Sequence, residues 1–155
     1  MNINLGDASK FVAWGTNGMK NCLDHCKMIL NNYGLTSYGS SATAIQLLKE
    51  SDGKLVYASD NPEKTYWSAV DCIDRHLEAG RPIIVGVNYQ LGNKYNEGTT
   101  DHFVVIYGRE GYTYLAKLYD TNIYGKVWKQ WNGGELRLDW VIAWQPLPAP
   151  YQKGE

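Results

Sequence analysis

The tripeptide Gly80-Arg81-Pro82 divides the chain into two halves of different character. Before it, apolar residues recur at helical spacing, and after it runs of β-branched and aromatic residues predominate. Strands that follow one another without a helix between them pair antiparallel. The order of the two halves therefore predicts an α+β domain, in which N-terminal helices pack on an antiparallel sheet.

Three helices are predicted before this boundary. They span residues 22–32, 41–50 and 65–79. The first begins after Asn21, a good N-cap, and ends before Gly34. Gly53 and Gly80 are interpreted as the stops of the second and third helices, because glycine readily adopts the left-handed conformation that ends a helix.

Several strands are predicted after the boundary. They span residues 83–89, 103–107, 112–119, the surroundings of Val127, and 136–144. The segment from Gly108 to Gly111 is interpreted as a hairpin loop. With the turn centred on Glu110, residue 102 lies opposite residue 118.

Length and composition predict one soluble domain. The 155 residues match a single domain of roughly 100–200 residues, and we place it at 1–145, with a proline-rich tail at 146–155. A net charge of −1 argues against nucleic acid and anionic membrane as partners. No stretch approaches ~20 apolar residues, and the N-terminus lacks the pattern of a standard secretory signal. We expect a monomer made in the cytoplasm.

Cys22 is the candidate nucleophile. The three cysteines cannot form a complete disulfide framework, so at least one thiol is expected to stay free. Cys22 stands at the predicted start of a helix, where unpaired N–H groups and the helix dipole stabilise a thiolate and can donate to an oxyanion. Cys26, one turn further along, is interpreted as a core residue.

His102 and Asp120 are the candidate base and orienting carboxylate. His102 opens the strand 103–107, and the hairpin register makes Asp120 its diagonal neighbour on the same face. Nucleophile, base and orienting group are what acyl transfer requires, and no cofactor is needed. The polar segment 90–101 is expected to border the cleft, and Asp101 is interpreted as a solvated loop charge.

The same residues carry a family resemblance. The stretch from Asn21 to Gly34, NCLDHCKMILNNYG, resembles the catalytic helix of papain-like bacterial peptidases related to the double-glycine leader peptidases. The segments GRPIIVGV, HFVVIYG and Tyr119-Asp120 ahead of Gly125 then follow in that family's order, so the resemblance covers about residues 20 to 125.

The resemblance implies a papain-like fold with Cys22 as the nucleophile on its central helix, His102 as the base and Asp120 as the orienting residue. The family usually has glycine where this chain has Leu23, and a glutamine several residues before the nucleophile. Asn17 and Asn21 are the nearest amides here, and are therefore the oxyanion candidates.

The resemblance also implies a class of substrate. Small papain-like domains include the NlpC-like and CHAP cell-wall amidases and the amidase effectors of type VI secretion systems. We expect hydrolysis of peptidoglycan stem peptides, delivery to a target-cell periplasm, and a small inhibitor protein as partner. A protease acting on proteins or leader peptides is the alternative.

Two hypotheses from other functional classes remain open, a zinc-binding domain and a binding domain without activity. Cys22 with Cys26 and Cys72 with His76 are i, i+4 pairs that would hold a tetrahedral zinc ion if the two pairs faced each other. Alternatively, a papain-like domain without activity would use an aromatic cleft only to bind. His25 and His76 are otherwise expected at the surface or in helix packing.

Overall fold

The computed structural model describes residues 2–36, 38, 45–87, 102–111, 113–117, 126–128, 131–132 and 135–136. The regular structure of this part consists of two α-helices, two single-turn 3₁₀ helices and nine strands. The α-helices are α1 (Cys22–Asn32) and α2 (Pro62–Glu78). The strands are β1 (Asn2–Asn4), β2 (Leu48–Ser51), β3 (Lys54–Tyr57), β4 (Ile83–Val87), β5 (His102–Glu110), β6 (Thr113–Lys117), β7 (Lys126–Trp128), β8 (Trp131–Asn132) and β9 (Glu135–Leu136). The α+β class is confirmed. None of the described helices is both long and apolar enough to cross a membrane.

Helix α1 has the predicted bounds. The Asn21 side chain accepts a hydrogen bond from the backbone N–H of Asp24 at 2.8 Å, which satisfies one unpaired donor of the first turn. At the other end Gly34 has a φ of 81°, and the N–H of Leu35 donates to the carbonyl of Leu30 at 3.0 Å. This pairing is the Schellman motif that ends a helix at glycine.

Helix α2 begins three residues earlier than predicted. Asn61 caps it by accepting from the N–H of Lys64 at 3.2 Å, and Pro62 occupies the first turn. Proline is well suited to that position because it lacks an N–H that would stay unpaired there. The predicted stop at Gly80 is confirmed by its φ of 78°.

The predicted helix over 41–50 is wrong where the structure describes it. Residues 48–50 belong to β2, which pairs antiparallel with β3 in a hairpin. Asp52 and Gly53 connect the strands with φ of 51° and 74°, as a two-residue type I′ turn requires. Asp-Gly is a strong hairpin pattern, and Gly53 was interpreted as a helix stop instead.

The main sheet is built around β5. β6 pairs along one edge of β5 and is followed by β7, while β4 and β1 share the opposite edge. β4 covers the first half of that edge and β1 the second half. Three predictions extend beyond the described residues. They are the end of the strand 83–89, the strand 136–144 after its first residue, and the proline-rich tail 146–155.

The predicted loop from Gly108 to Gly111 is wrong for residues 108–110, because β5 continues through Glu110, whereas Gly111 lies in the turn as predicted. Gly108 serves the close approach of β1 instead. A Cβ there would lie 2.5 Å from the carbonyl oxygen of Ile3 and 3.2 Å from the Cα of Asn4. Sequence alone does not distinguish a glycine required by a turn from one required by a neighbouring backbone.

The sheet separates two apolar clusters, one under each helix. The α1 cluster includes Cys26, Ile29 and Leu30 of the helix with Ile84, Val105, Tyr107 and Leu115 of the sheet. The α2 cluster includes Val70, Cys72, Ile73 and Leu77 of the helix with Ile83, Val85, Val104, Ile106, Tyr114 and Ala116 of the sheet. Alternate strand residues therefore belong to opposite clusters, and the described part forms three layers with the sheet in the middle.

Candidate thiol site

Cys22 is the first residue of α1 and is partly exposed, whereas Cys26 and Cys72 are buried. The cap at Asn21 fixes the start of the helix directly before the thiol. The N–H groups of the first helical turn have no carbonyl one turn earlier in the helix to which they could donate a hydrogen bond. The thiol is thus placed where the helix dipole favours an anion.

The C-terminal end of α1 lies near Tyr107, in the second half of β5. The Tyr33 hydroxyl donates to the carbonyl of Leu5 at 2.6 Å, and the Leu5 N–H donates to the carbonyl of Tyr107 at 2.9 Å. The Phe11 ring contacts both tyrosine rings edge-on, with centroids 6.3 Å from Tyr33 and 5.6 Å from Tyr107.

The N-terminal end of α1 therefore points toward the first half of β5. Eleven helical residues rise about 16 Å, and the five steps of strand from Tyr107 back to His102 span about 17 Å. Leu23, next to the thiol, and Phe103, next to the imidazole, both pack against the α1 cluster. The starts of α1 and β5 therefore both border the α1 cluster.

Alternation along β5 assigns His102 to the opposite face. Val104 and Ile106 belong to the α2 cluster, whereas Val105 and Tyr107 belong to the α1 cluster. His102 has the parity of Val104 and is 8% exposed. The helix that carries Cys22 covers the other side of the sheet, so the described residues do not bring thiol and imidazole to one face.

The third predicted member, Asp120, lies outside the described residues, as do Asp101 and the segment 90–101. The register behind its prediction needs a correction. Val105 lies opposite Lys117 and not residue 115, because the turn is displaced and a bulge interrupts β5 between Ile106 and Gly108. A shift of two residues keeps alternate side chains on the same face, so the described pairs change partners without exchanging faces.

The two oxyanion candidates differ in their surroundings. The Asn21 amide is engaged at the cap, since its nitrogen donates to the Asp24 carboxylate at 2.9 Å. Asn17 is exposed and has a φ of 54°, which asparagine tolerates better than most residues. Its side chain makes no hydrogen bond to another described residue, so Asn17 is the more available donor.

The buried His25 links the segment before the thiol to the first turn of α1. Its Nε2 lies 2.6 Å from the carbonyl oxygen of Val12 and must carry the proton, because a carbonyl only accepts. Its ring lies against that of Trp14, with centroids 5.7 Å apart. His25 is therefore a packing residue and not a surface residue, and the sequence pattern gave no sign of its link to Trp14.

The four residues considered as zinc ligands do not face each other. Cys26 belongs to the α1 cluster and Cys72 to the α2 cluster, with the sheet between them. The Nδ1 of His76 donates to the backbone carbonyl of Cys72 at 2.7 Å, and burial raises the pKa of the Cys72 thiol to about 12. Within the described part, no group of three or more His, Cys, Asp or Glu side chains could hold a metal ion.

A buried ionic network ties α2 to the β5–β6 hairpin. The Arg109 guanidinium donates to the Asp74 carboxylate and to the carbonyl of Gly111, and the Tyr114 hydroxyl donates to Asp74 at 2.7 Å. Burial raises the pKa of Asp74, although Tyr114 and Arg109 oppose the rise. Burial also raises the pKa of Tyr66, to about 12. These side chains hold the α2 layer on the sheet.

Comparison with known proteins gives no relative for this chain: no family model, no curated protein and no solved structure matches it.

Proposed function

We propose that the chain is a papain-like cysteine amidase that hydrolyses amide bonds through Cys22. The observation that carries the proposal is the position of this thiol. It is partly exposed at the capped start of a helix that packs on an antiparallel sheet, while both other thiols are buried. The resemblance of residues 21–34 to a catalytic helix supports the same role.

The proposed reaction proceeds through a thioester. The Cys22 sulfur bonds to the carbonyl carbon of the substrate, the carbon–nitrogen bond breaks, and His102 gives the leaving amine the proton it took from the thiol. Water then adds to the thioester, releasing the carboxylic acid and regenerating the thiol. Asn17 and the first-turn N–H groups of α1 would stabilise the oxyanion, and Asp120 would orient His102.

This mechanism makes a specific demand on His102. Its imidazole must act around the end of β5, because the alternation of the strand assigns it to the α2 face while Cys22 belongs to the α1 side.

Purified muropeptides test the proposal directly. The intact chain should release products whose masses correspond to cleavage of one amide bond, and Cys22→Ala and His102→Ala should each abolish the release. Cys26→Ala is the matched control, because it removes a buried thiol from the same helix. Cleavage that survives loss of Cys22 in a folded variant would exclude thiol catalysis.

The sidedness of His102 favours a second candidate, a papain-like domain that binds its ligand without cleaving it. In that case the intact chain and Cys22→Ala would bind muropeptides equally and neither would release a product. Product release by the intact chain that is lost in His102→Ala would exclude the binding-only candidate.

The biological setting is part of the proposal. An amidase that acts on peptidoglycan stem peptides is toxic only where the wall is present, and a producer exposed to its siblings would need an inhibitor protein that blocks the cleft. Expression in a bacterial host with and without an added export signal tests this point. Lysis is expected only for the exported form with Cys22 intact. Toxicity of the form without the signal would instead favour an intracellular protease.

A further inference from the structure

We infer that Trp14 forms an aromatic wall of the substrate subsite beside Cys22 and receives the sugar ring of a glycopeptide substrate. This inference rests on the proposed function and specifies its substrate side. It starts from an exposed indole: the Trp14 side chain is 41% exposed, although the hydrophobic effect would favour its burial.

The Trp14 indole packs against the buried His25 ring. Its ring is inclined by 60° to the ring of His25, at 5.7 Å between centroids. His25 is fully buried and is fixed in turn by the bond from its Nε2 to the carbonyl of Val12 at 2.6 Å. Trp14 therefore rests on a side chain that has little freedom to move.

The loop that follows Trp14 is also held in place. Gly15 and Gly18 have φ of 87° and 78°, in the left-handed region that glycine adopts without strain. The Thr16 hydroxyl donates to the carbonyl of Ala13 at 2.6 Å, and the buried Met19 sulfur accepts from the N–H of Gly15 at 2.8 Å. A preorganised aromatic side chain loses little entropy when a ligand packs on it.

The indole lies close to the proposed nucleophile. His25 follows Cys22 by three residues in α1, so their Cβ atoms are about 5–6 Å apart on one side of the helix. Trp14 lies against the ring of His25, so the indole is a neighbour of the first turn of α1, which carries the thiol. A group next to the scissile amide would reach the indole.

The chemistry around Trp14 favours a sugar over an aliphatic side chain. Lys20 is exposed in the same loop and offers an ammonium group with three N–H donors. A sugar ring has an apolar face of C–H groups for the indole and hydroxyl groups for such donors. An aliphatic substrate group would be matched by a wholly apolar pocket.

Binding measured in the Cys22→Ala chain tests the inference without turnover. The probes are a purified disaccharide tetrapeptide from peptidoglycan and the free tetrapeptide of the same sequence, titrated by calorimetry. Trp14→Ala should weaken binding of the disaccharide form by about tenfold and leave binding of the free peptide within about twofold. Trp14→Tyr, which retains an aromatic face, should bind the disaccharide form with most of the affinity of the Trp14-intact chain.

Trp67 supplies the matched control. It is 48% exposed on α2, which packs on the other face of the sheet, so Trp67→Ala should leave both affinities unchanged. Equal loss for both probes, no loss for either, or no binding of the disaccharide form to the Trp14-intact chain would overturn the inference. Binding that depends on Trp14 without cleavage by the Cys22-intact chain would refute the hydrolase and leave the sugar subsite standing.

Discussion

Replacing Arg109 by methionine should destabilise the protein by removing the cation from a buried pair. The Arg109 and Asp74 side chains are each 14% exposed, and among the described residues the Tyr114 hydroxyl would remain as the donor to the carboxylate. Breaking a fully buried pair costs about 3–5 kcal/mol. The remaining exposure allows some hydration of Asp74, so we expect a loss near the lower end, about 3 kcal/mol.

The ion pair between Asp71 and Arg75, both on α2, provides the control. Arg75 lies 3.0 Å from Asp71, but these side chains are 41% and 62% exposed. Exposed pairs of this kind contribute about 0–1 kcal/mol, so Arg75→Met should change the free energy of unfolding little. Urea titrations at pH 7 measure both variants, provided that their slopes agree with that of the unchanged chain.

The loss of stability in Arg109→Met should depend on pH, because it is linked to the pKa of Asp74. Burial raises the pKa of Asp74 in the folded protein, and loss of Arg109 should raise it further. A raised carboxyl pKa contributes stability at pH values below the unfolded pKa, and this contribution is lost as pH rises through the folded pKa. The deficit of Arg109→Met should therefore shrink as pH falls from 7 toward about 4. Equal losses for Arg109→Met and Arg75→Met, or a deficit that does not change with pH, would refute this reasoning.

Three further predictions concern the sheet and the proposed triad. Gly108→Ala should cost about 1–3 kcal/mol in urea unfolding, because its Cβ would meet the β1 backbone at 2.5 Å; an unchanged midpoint would contradict that contact. An alkylating reagent at mildly acidic pH should label Cys22 well ahead of the two buried thiols, as mass analysis of peptides would show, and equal labelling in the folded protein would count against the triad. Asp120→Asn should lower turnover of muropeptides, by several orders of magnitude at most, and Asp101→Asn should be nearly silent; the reverse order would assign the orienting role to Asp101.

The helix ends that follow local rules were predictable from sequence. The cap at Asn21 and the stops at Gly34 and Gly80 depend on backbone groups a few residues away, and each was identified correctly. The start of α2 at Pro62 was missed, although Asn61-Pro62 is a pattern that a local rule recognises.

The errors in the sheet arise where a glycine has more than one explanation. Gly53 belongs to a hairpin turn and Gly108 to a close contact with β1, whose partner residues lie more than a hundred positions away in the chain. No local pattern contains the second contact. The bulge after Ile106 likewise displaced the predicted register of the hairpin.

The sequence predicted the individual residues of the candidate site, but not the face of the sheet on which each of them lies. Sequence spacing placed Cys22 at a helix start, as observed, and His102 at a strand start. Which face of β5 packs on α1 depends on both helices competing for two apolar faces of similar character, and the alternation of a doubly buried strand does not reveal that choice.

The division of one edge of β5 between β1 and β4 has a consequence for folding. Asn2 pairs with Glu110, so β1 closes a loop of more than a hundred residues when it docks, whereas the β5–β6 hairpin closes locally. Long-range pairing of this kind slows folding, because the entropy of loop closure is lost before the contact forms. During synthesis β1 leaves the ribosome long before the only described strand with which it pairs, so its docking is expected to be among the last steps of folding, after the hairpin and α2 are in place.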